Sequence, residues 1–383
     1  MENSQGTGIN KSYYQIIMNK LYALLLLFLI YSCAGNHNKI TEIDFFVGDD
    51  ITHPKHYIIS YNTEDLLIDG LDNEKAWAEA KYTDEFIDIE GELIPQQTTK
   101  VKMLWDEDYL YVFAQLKEKH IWGDLDKRDA IIYLNNDFEV FLDPSSTGTN
   151  YVEIEINPLG TILDLSLNKP YRVGGKANLH WNLTNLKTAV NISGSLNDHS
   201  DIDSLWTVEM AIPINALIEL KNKPKSIPKE GEQWKINFSR VEWEFEIIDG
   251  KYQRKKLNDK LLPENNWVWS PQRVINMHEP EKWGILQFTN ESSSKDIKFI
   301  ENKDAHIEQI AYSLFRQTRY GSLKYLNNLN FGEQLVINAQ LSDIKSIKAY
   351  FFKTNMGFEY KIASTISNVY YLINQDGFLK IIK

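Results

Sequence analysis

Residues 101–116 read VKMLWDEDYLYVFAQL. Val101, Met103 and Trp105 alternate with Lys102 and Leu104, the period of two that lines one face of a strand. Asp106-Glu107-Asp108 then makes a turn, and Leu110–Leu116 runs back as the second arm of a hairpin. Similar short runs continue along the chain. Glu139–Asp143 stops at Pro144, and a strand through Tyr151, Ile154 and Ile156 is closed by Asn157-Pro158-Leu159-Gly160. Ile162–Leu167, Lys187–Ile192, Trp206–Ile212, Trp234–Trp243 and Gly284–Phe288 complete the set. About ten strands with almost no helical periodicity predict an all-β fold, an antiparallel, jelly-roll-like β-sandwich over residues 58–289. One short helix is expected near Glu74–Ala80 and another turn after Pro213.

Beyond residue 289 the composition changes. All 10 Trp lie between Trp77 and Trp283, and all 11 Pro between Pro54 and Pro280. NESSSKD (290–296) therefore opens a polar linker, taken as 290–300. Ile307, Ile310, Ala311, Leu314 and Phe315 fall on one helical face, which predicts an amphipathic helix over Asp304–Thr318. Strands follow at Leu335–Ala339, Ile347–Lys353, Phe358–Ser364, Val369–Ile373 and Phe378–Ile382, the last two joined by an Asp376-Gly377 turn. Residues 301–383 thus read as a small α+β appendage, with no function or protein partner legible in it.

At the other end, Lys20 precedes the apolar run Leu21–Ile30, and Cys33 follows. A basic residue, a short apolar core and a small-residue cleavage site are the parts of a secretory signal. The run is too short for a spanning helix, which needs ~20 apolar residues. IYSC (30–33) resembles the lipobox of bacterial lipoproteins, whose Cys is lipidated after cleavage. Residues 1–33 are accordingly read as a leader, with Met18 as an alternative start, and 34–57 as a polar tether. The expected location is the cell envelope, at the outer membrane. AGNHN (34–38) has no acidic run of the kind that resembles a surface-export signal, which favours the periplasmic face. Cys33 is also the chain's single cysteine, so no internal disulfide or multi-cysteine metal site exists. Across 383 residues, 41 Lys and Arg against 53 Asp and Glu give a net charge of −12, which argues against nucleic acid as a partner.

Seven motifs occur in a telling order. They are IDGLDNEKAW (68–77), the hairpin 101–116, NDFEVFLDP (136–144), YVEIEINPLGTILD (151–164), WTVEMAIPINAL (206–217), GEQWKINFSRVEWE (231–244) and WVWSPQRVINMHEPEKWGILQF (267–288). Together they resemble the family 9 carbohydrate-binding modules, in the variant found in exported proteins of Bacteroidetes-type bacteria. The resemblance implies a β-sandwich that binds oligo- or polysaccharide in a slot between aromatic side chains, with structural calcium in some members. One aromatic of the slot would be Tyr133, where Trp is more usual, and the other Trp269, in WSP. Glu139 would bond sugar hydroxyls. Near Glu155 a following strand of the family contributes an Arg, so this chain departs from the pattern there.

The residues themselves support a similar set. A sugar offers an apolar C–H face and a rim of hydroxyls, so its site needs flat rings beside polar planar groups. Trp77, Trp105, Trp206, Trp234 and Trp283 sit at apolar positions and read as core. Trp122, Trp181, Trp267 and Trp269 stand in loop-like contexts and are ligand candidates. Arg240 is read as the partner of Glu139, in either a structural or a sugar-binding pair. Asn157 is a further ligand candidate or a turn residue, and the loop cations Arg128 and Arg172 have the reach to touch a ligand. Asp143 is a calcium candidate or a turn cap; no other cofactor is expected, and Met277-His278 is the nearest approach to a haem ligand. Glu153 and Glu155 share one strand face. Three functions stay open: non-catalytic sugar binding, an envelope interaction module without a sugar slot, and glycoside hydrolysis, the least supported.

Overall fold

The computed structural model describes residues 41–222, 224–341 and 344–383. Cys33, the leader and the first part of the tether lie outside the described residues. The hairpin forms as Thr99–Trp105 against Tyr109–Lys117, with Met103 opposite Val112. Asp106 closes it, its carboxylate accepting hydrogen bonds from the Asp108 and Tyr109 N–H groups. Leu205–Pro213 pairs with the free side of Tyr109–Lys117, and Lys187–Ser193 pairs beyond it. These strands make the first sheet. In the second, Gly284–Phe288, Gln233–Glu242, Asp137–Asp143, Tyr151–Ile156 and Ile162–Leu167 lie in that spatial order. Asn265–Val268 adds to the far end of Gln233–Glu242.

One strand belongs to both sheets. His56–Ile59 pairs with Ile285–Phe288, and Ser60 and Tyr61 pair with Leu104 and Trp105. Both pairings are parallel, whereas an antiparallel sandwich was expected; the other described ladders of the two sheets are antiparallel. A parallel neighbour demands a long crossover; residues 62–98 supply it for the pairing with Leu104 and Trp105, and nearly the whole of the sandwich for the pairing with Ile285–Phe288.

Alternate residues of each strand fill the space between the sheets: Val101, Met103 and Trp105; Phe138, Val140 and Leu142; Val152, Ile154 and Ile156. The five Trp read as core are buried. Trp267 and Trp269 join this inner layer too, which corrects Trp269 as a ring of the ligand platform and Trp267 as a ligand candidate. The segment NNWVW carries the strand Asn265–Val268, flanked by Gln233–Glu242 and Ile87–Asp88, which puts 267 and 269 on the same inward-facing parity. Trp269 is 1% exposed, tilts against Phe238 and lies directly over Gly284.

Arg240 is fully buried in the same layer, and its expected pairing with Glu139 does not occur. Register explains why. Arg240 lies opposite Phe138 and shares its inward face, while Glu139 lies opposite Ser239 and faces outward. The guanidinium instead bonds Glu118 at 3.1 Å and Glu242 at 2.8 Å, along with Thr99 Oγ1 and the Lys117 carbonyl. It also lies over the Trp267 ring. Glu118 further accepts from Asn136 and the Trp206 indole. Two carboxylates against one guanidinium leave an uncompensated charge in the core. Burial, with Glu242 beside it, pushes the Glu118 carboxyl up to about 8.

The helix Ala305–Arg319 packs on a six-stranded sheet, in good agreement with the expected Asp304–Thr318. That sheet runs in the order Thr41–Phe46, Gln334–Leu341, Ile344–Lys353, Phe358–Ala363, Tyr370–Asn374 and Leu379–Ile382. Its first strand corrects the tether assignment. Residues 41–46 (TEIDFF) are an edge strand whose Ile43 and Phe45 pack on the C-terminal core, and the sandwich already begins at His56. The linker is likewise held down. Phe299 stacks on His56, and Gln287 bonds the backbone of Lys298 and Ile300. Arg316 bonds both Asp50 and Glu281, and residues 42–383 form one compact unit.

Two tests follow from this core. A Cβ on Gly284 would fall 2.2 Å from the Trp269 ring. Gly284→Ala should therefore cost about 1–3 kcal/mol in urea unfolding, as overpacking does; an unchanged midpoint would show that the ring has room to move. The second concerns Glu118, whose folded-state pKa is raised. Between its ordinary value of 4.5 and about 8 the folded chain holds a proton that the unfolded chain has released. Stability from this group is thus complete at acid pH and declines as pH rises through that window. Glu118→Gln should remove that part of the decline, read as a flatter dependence of the urea midpoint on pH than in the parent. Equal slopes would refute the assignment.

Candidate ligand cleft

The strands that bury Phe138, Val140 and Leu142 inward turn Asp137, Glu139 and Phe141 outward, and the neighbouring strand turns out Tyr151, Glu153 and Glu155. Phe141, Tyr151, Leu163 and Leu165 pack there with Ile132, Met277 and Trp283 as a second apolar layer. Loops cover this layer except over a cleft of about 370 Å³. Its floor is Glu139, Glu153 and Glu155 with Phe141, Leu163 and Leu165; its walls include Tyr133, Tyr171, Asn266, Asn276 and His278. Tyr133 is 41% exposed and Tyr171 44%, although most large apolar rings of the sandwich are buried.

The floor is acidic. Glu139 stands directly opposite Glu155 in the ladder, a like-charge pairing that strands normally avoid. One oxygen each from Asp137, Glu139 and Glu155 lies within 4.8 Å of the others, and all three residues are buried. Glu155 accepts from the Tyr133 N–H at 2.9 Å, and Asp137 Oδ1 from the Val241 N–H at 3.2 Å. Asp137 Oδ2 is buried with no hydrogen-bond partner among the described residues. Burial holds Glu139 up at about 7 and, reinforced by Glu139, holds Glu155 up at about 8. Asp137 and Glu153 are driven well above the usual carboxylate range by the same burial and by their acidic neighbours. His278 donates no compensating charge: burial pushes its imidazole down to about 4, and its Nδ1 pairs with the Tyr151 hydroxyl. No Lys or Arg is among the described residues lining the cleft.

Of the residues singled out in the sequence, Tyr133 and Glu139 meet in this cleft, together with Glu153, Glu155, Met277 and His278. The remaining candidates do not line it. Trp122 is 2% exposed and stacks on Tyr252, because its loop folds back over that hairpin. Trp181 packs its ring on the edge of the inter-sheet core. Asn157 is a buried turn residue whose side chain bonds the backbone at Leu125, Leu159 and Thr161. Asp143 caps a turn, accepting from the Ser145 and Gly148 N–H groups. Both its oxygens are thus engaged, and acidic donors gather at Asp137, Glu139 and Glu155 instead. Arg128 pairs with Asp164, and Arg172 with Glu279. Tyr171, Asn266 and Asn276 of the cleft lining were not anticipated, nor was Asp137 beside Glu139 and Glu155. Asp137 was legible, being two positions from Glu139 and so on its face. Tyr171, an aromatic after Pro170 in a turn, carried only a weak signal.

Residues 68–289 match the model of the carbohydrate family 9 binding domain-like family. Over 107 residues the chain is 31% identical to endo-1,4-beta-xylanase C of Paenibacillus barcinonensis, an alignment covering 28% of this chain and 9% of the xylanase. Among solved structures, it is similar to a carbohydrate binding module family 9 from Caldicellulosiruptor kristjanssonii in complex with cellotriose. Identity there is 14% and the TM-score 0.41, with 64% of this chain and 100% of the module covered. A candidate carbohydrate-binding protein from Bacteroides uniformis is similar at 15% identity and a TM-score of 0.46, covering 62% of this chain and 100% of that one. The family match takes in more than half of the sequence and the whole of the acidic cleft, and the chain belongs to the carbohydrate family 9 binding domain-like family.

Proposed function

We propose that the outward-facing cleft binds an oligo- or polysaccharide without catalysing its cleavage, in a protein tethered to the envelope by a lipid on Cys33. The observation that carries this reading is the pair of exposed rings, Tyr133 and Tyr171, at a cleft floored by buried carboxylates. A tyrosine face takes the C–H side of a pyranose, and carboxylate oxygens accept two hydroxyl hydrogen bonds each. Asn276 adds a donor, since its Nδ2 is buried with no partner among the described residues. The xylanase and cellotriose relatives make β-1,4-linked xylo- and cello-oligosaccharides the first ligands to try. The lipid anchor is supported by the apolar run and IYSC motif, and the periplasmic face of the outer membrane by the residues after Cys33.

Isothermal calorimetry against xylotriose and cellotriose should show saturable binding. Tyr133→Ala should weaken it by about 10-fold or more, as loss of a stacking ring does, without lowering the melting temperature. Unaltered affinity in that variant would remove the cleft from the binding site. Fractionation of cells tests the anchor separately. Cys33→Ala should move the protein from the membrane pellet to the soluble fraction, and retention in the pellet would overturn lipidation at Cys33.

A further inference from the structure

We propose that Asp137, Glu139 and Glu155 hold a divalent cation, calcium by the nature of the donors, at the floor of the cleft. The three oxygens lie within 4.8 Å of one another, so one ion about 2.4 Å from each fits between them. All three come from adjacent strands. Asp137 and Glu139 lie two apart on Asp137–Asp143, and Glu155 stands across the ladder from Glu139. The backbone thereby fixes the donor spacing more firmly than a loop would.

The independent pointer is Asp137 Oδ2. Its sister oxygen takes the Val241 N–H, while Oδ2 is buried and accepts from nothing among the described residues. A carboxylate oxygen removed from water needs a proton donor or a cation. The inner face of the same sheet meets this need for Glu118 and Glu242 with Arg240. On the outer face no Lys or Arg among the described residues lines the cleft, and the imidazole of His278 reaches Glu153 only at 3.9 Å.

The donor set is all oxygen, which selects a hard cation over zinc or copper. Calcium takes six to eight ligands, so three carboxylates leave positions open toward the cleft. Water can fill these, or two neighbouring hydroxyls of a sugar. Only this last step rests on the carbohydrate reading given above; cation binding by itself does not.

The test is calorimetry and thermal unfolding of the EDTA-treated chain with CaCl2, alone and then with xylotriose or cellotriose. One equivalent of calcium should bind and raise the melting temperature. Asp137→Asn and Glu139→Gln should each weaken calcium by about 10-fold or more, while Asp198→Asn, on an exposed loop, should not. No heat and no shift with calcium would overturn the proposal, as would calcium binding unchanged in both cleft variants. If neither variant folds, a crystal structure of the parent grown with CaCl2 decides. An ion between the three carboxylates upholds the proposal, and an ion only elsewhere overturns it. Calcium binding with no affinity for sugar would uphold the cation site and overturn the carbohydrate reading, whereas sugar binding indifferent to EDTA with no calcium uptake would do the reverse.

Discussion

A strand covered on both faces has no side that water can serve, and Asp137–Asp143 is such a strand. Its seven residues alternate between two different environments. Phe138, Val140 and Leu142 meet the opposite sheet, whereas Asp137, Glu139, Phe141 and Asp143 meet a second layer built from loops. The pleat permits no compromise, because a slip of one residue would carry the acids inward and the apolar set outward. The ladder to Gln233–Glu242 and Tyr151–Ile156 holds that register, and the cleft exists because it is held. Glu153 and Glu155 are brought to the same face by the same rule.

The two faces treat charge differently. Inside, Arg240 satisfies two glutamates and adds bonds to Thr99 and the Lys117 carbonyl, knitting the sheets at their centre. Outside, the carboxylates have backbone N–H groups from Tyr133 and Val241 and little else. Clustered acids kept from water raise one another's proton affinity, and they do so in a place open to ligand. The proposed binding site rests on this cluster at the floor of the cleft.

The elements with local signals were legible from sequence. The hairpin at 101–116, the C-terminal helix and the five core tryptophans are where the periodicity places them. Tyr133 and Glu139 were legible through the strand motif that joins them to the family. What could not be read depends on partners far along the chain. Whether Arg240 faces Glu139 is set by the pairing of strands about a hundred residues apart. NNWVWSP looks like a loop, and becomes a strand only between Gln233–Glu242 and Ile87–Asp88. Thr41–Phe46 reads as tether because its alternation is short and polar, and its partner is Gln334–Leu341.

That last pairing means that the sandwich is an insertion within the C-terminal sheet. The first strand is made long before its neighbour Gln334–Leu341. Val47 bonds the Gln340 carbonyl and Asp44 the Asn338 side chain, contacts of very long sequence separation. Such closures are slow, and an edge strand waiting for its mate is a template for the wrong one. The sandwich can condense first and bring the two ends of the sheet into range. Without Gln334–Leu341 the strand Thr41–Phe46 would present an unpaired edge to other chains, so the pairing that closes this sheet also serves as a seal against association.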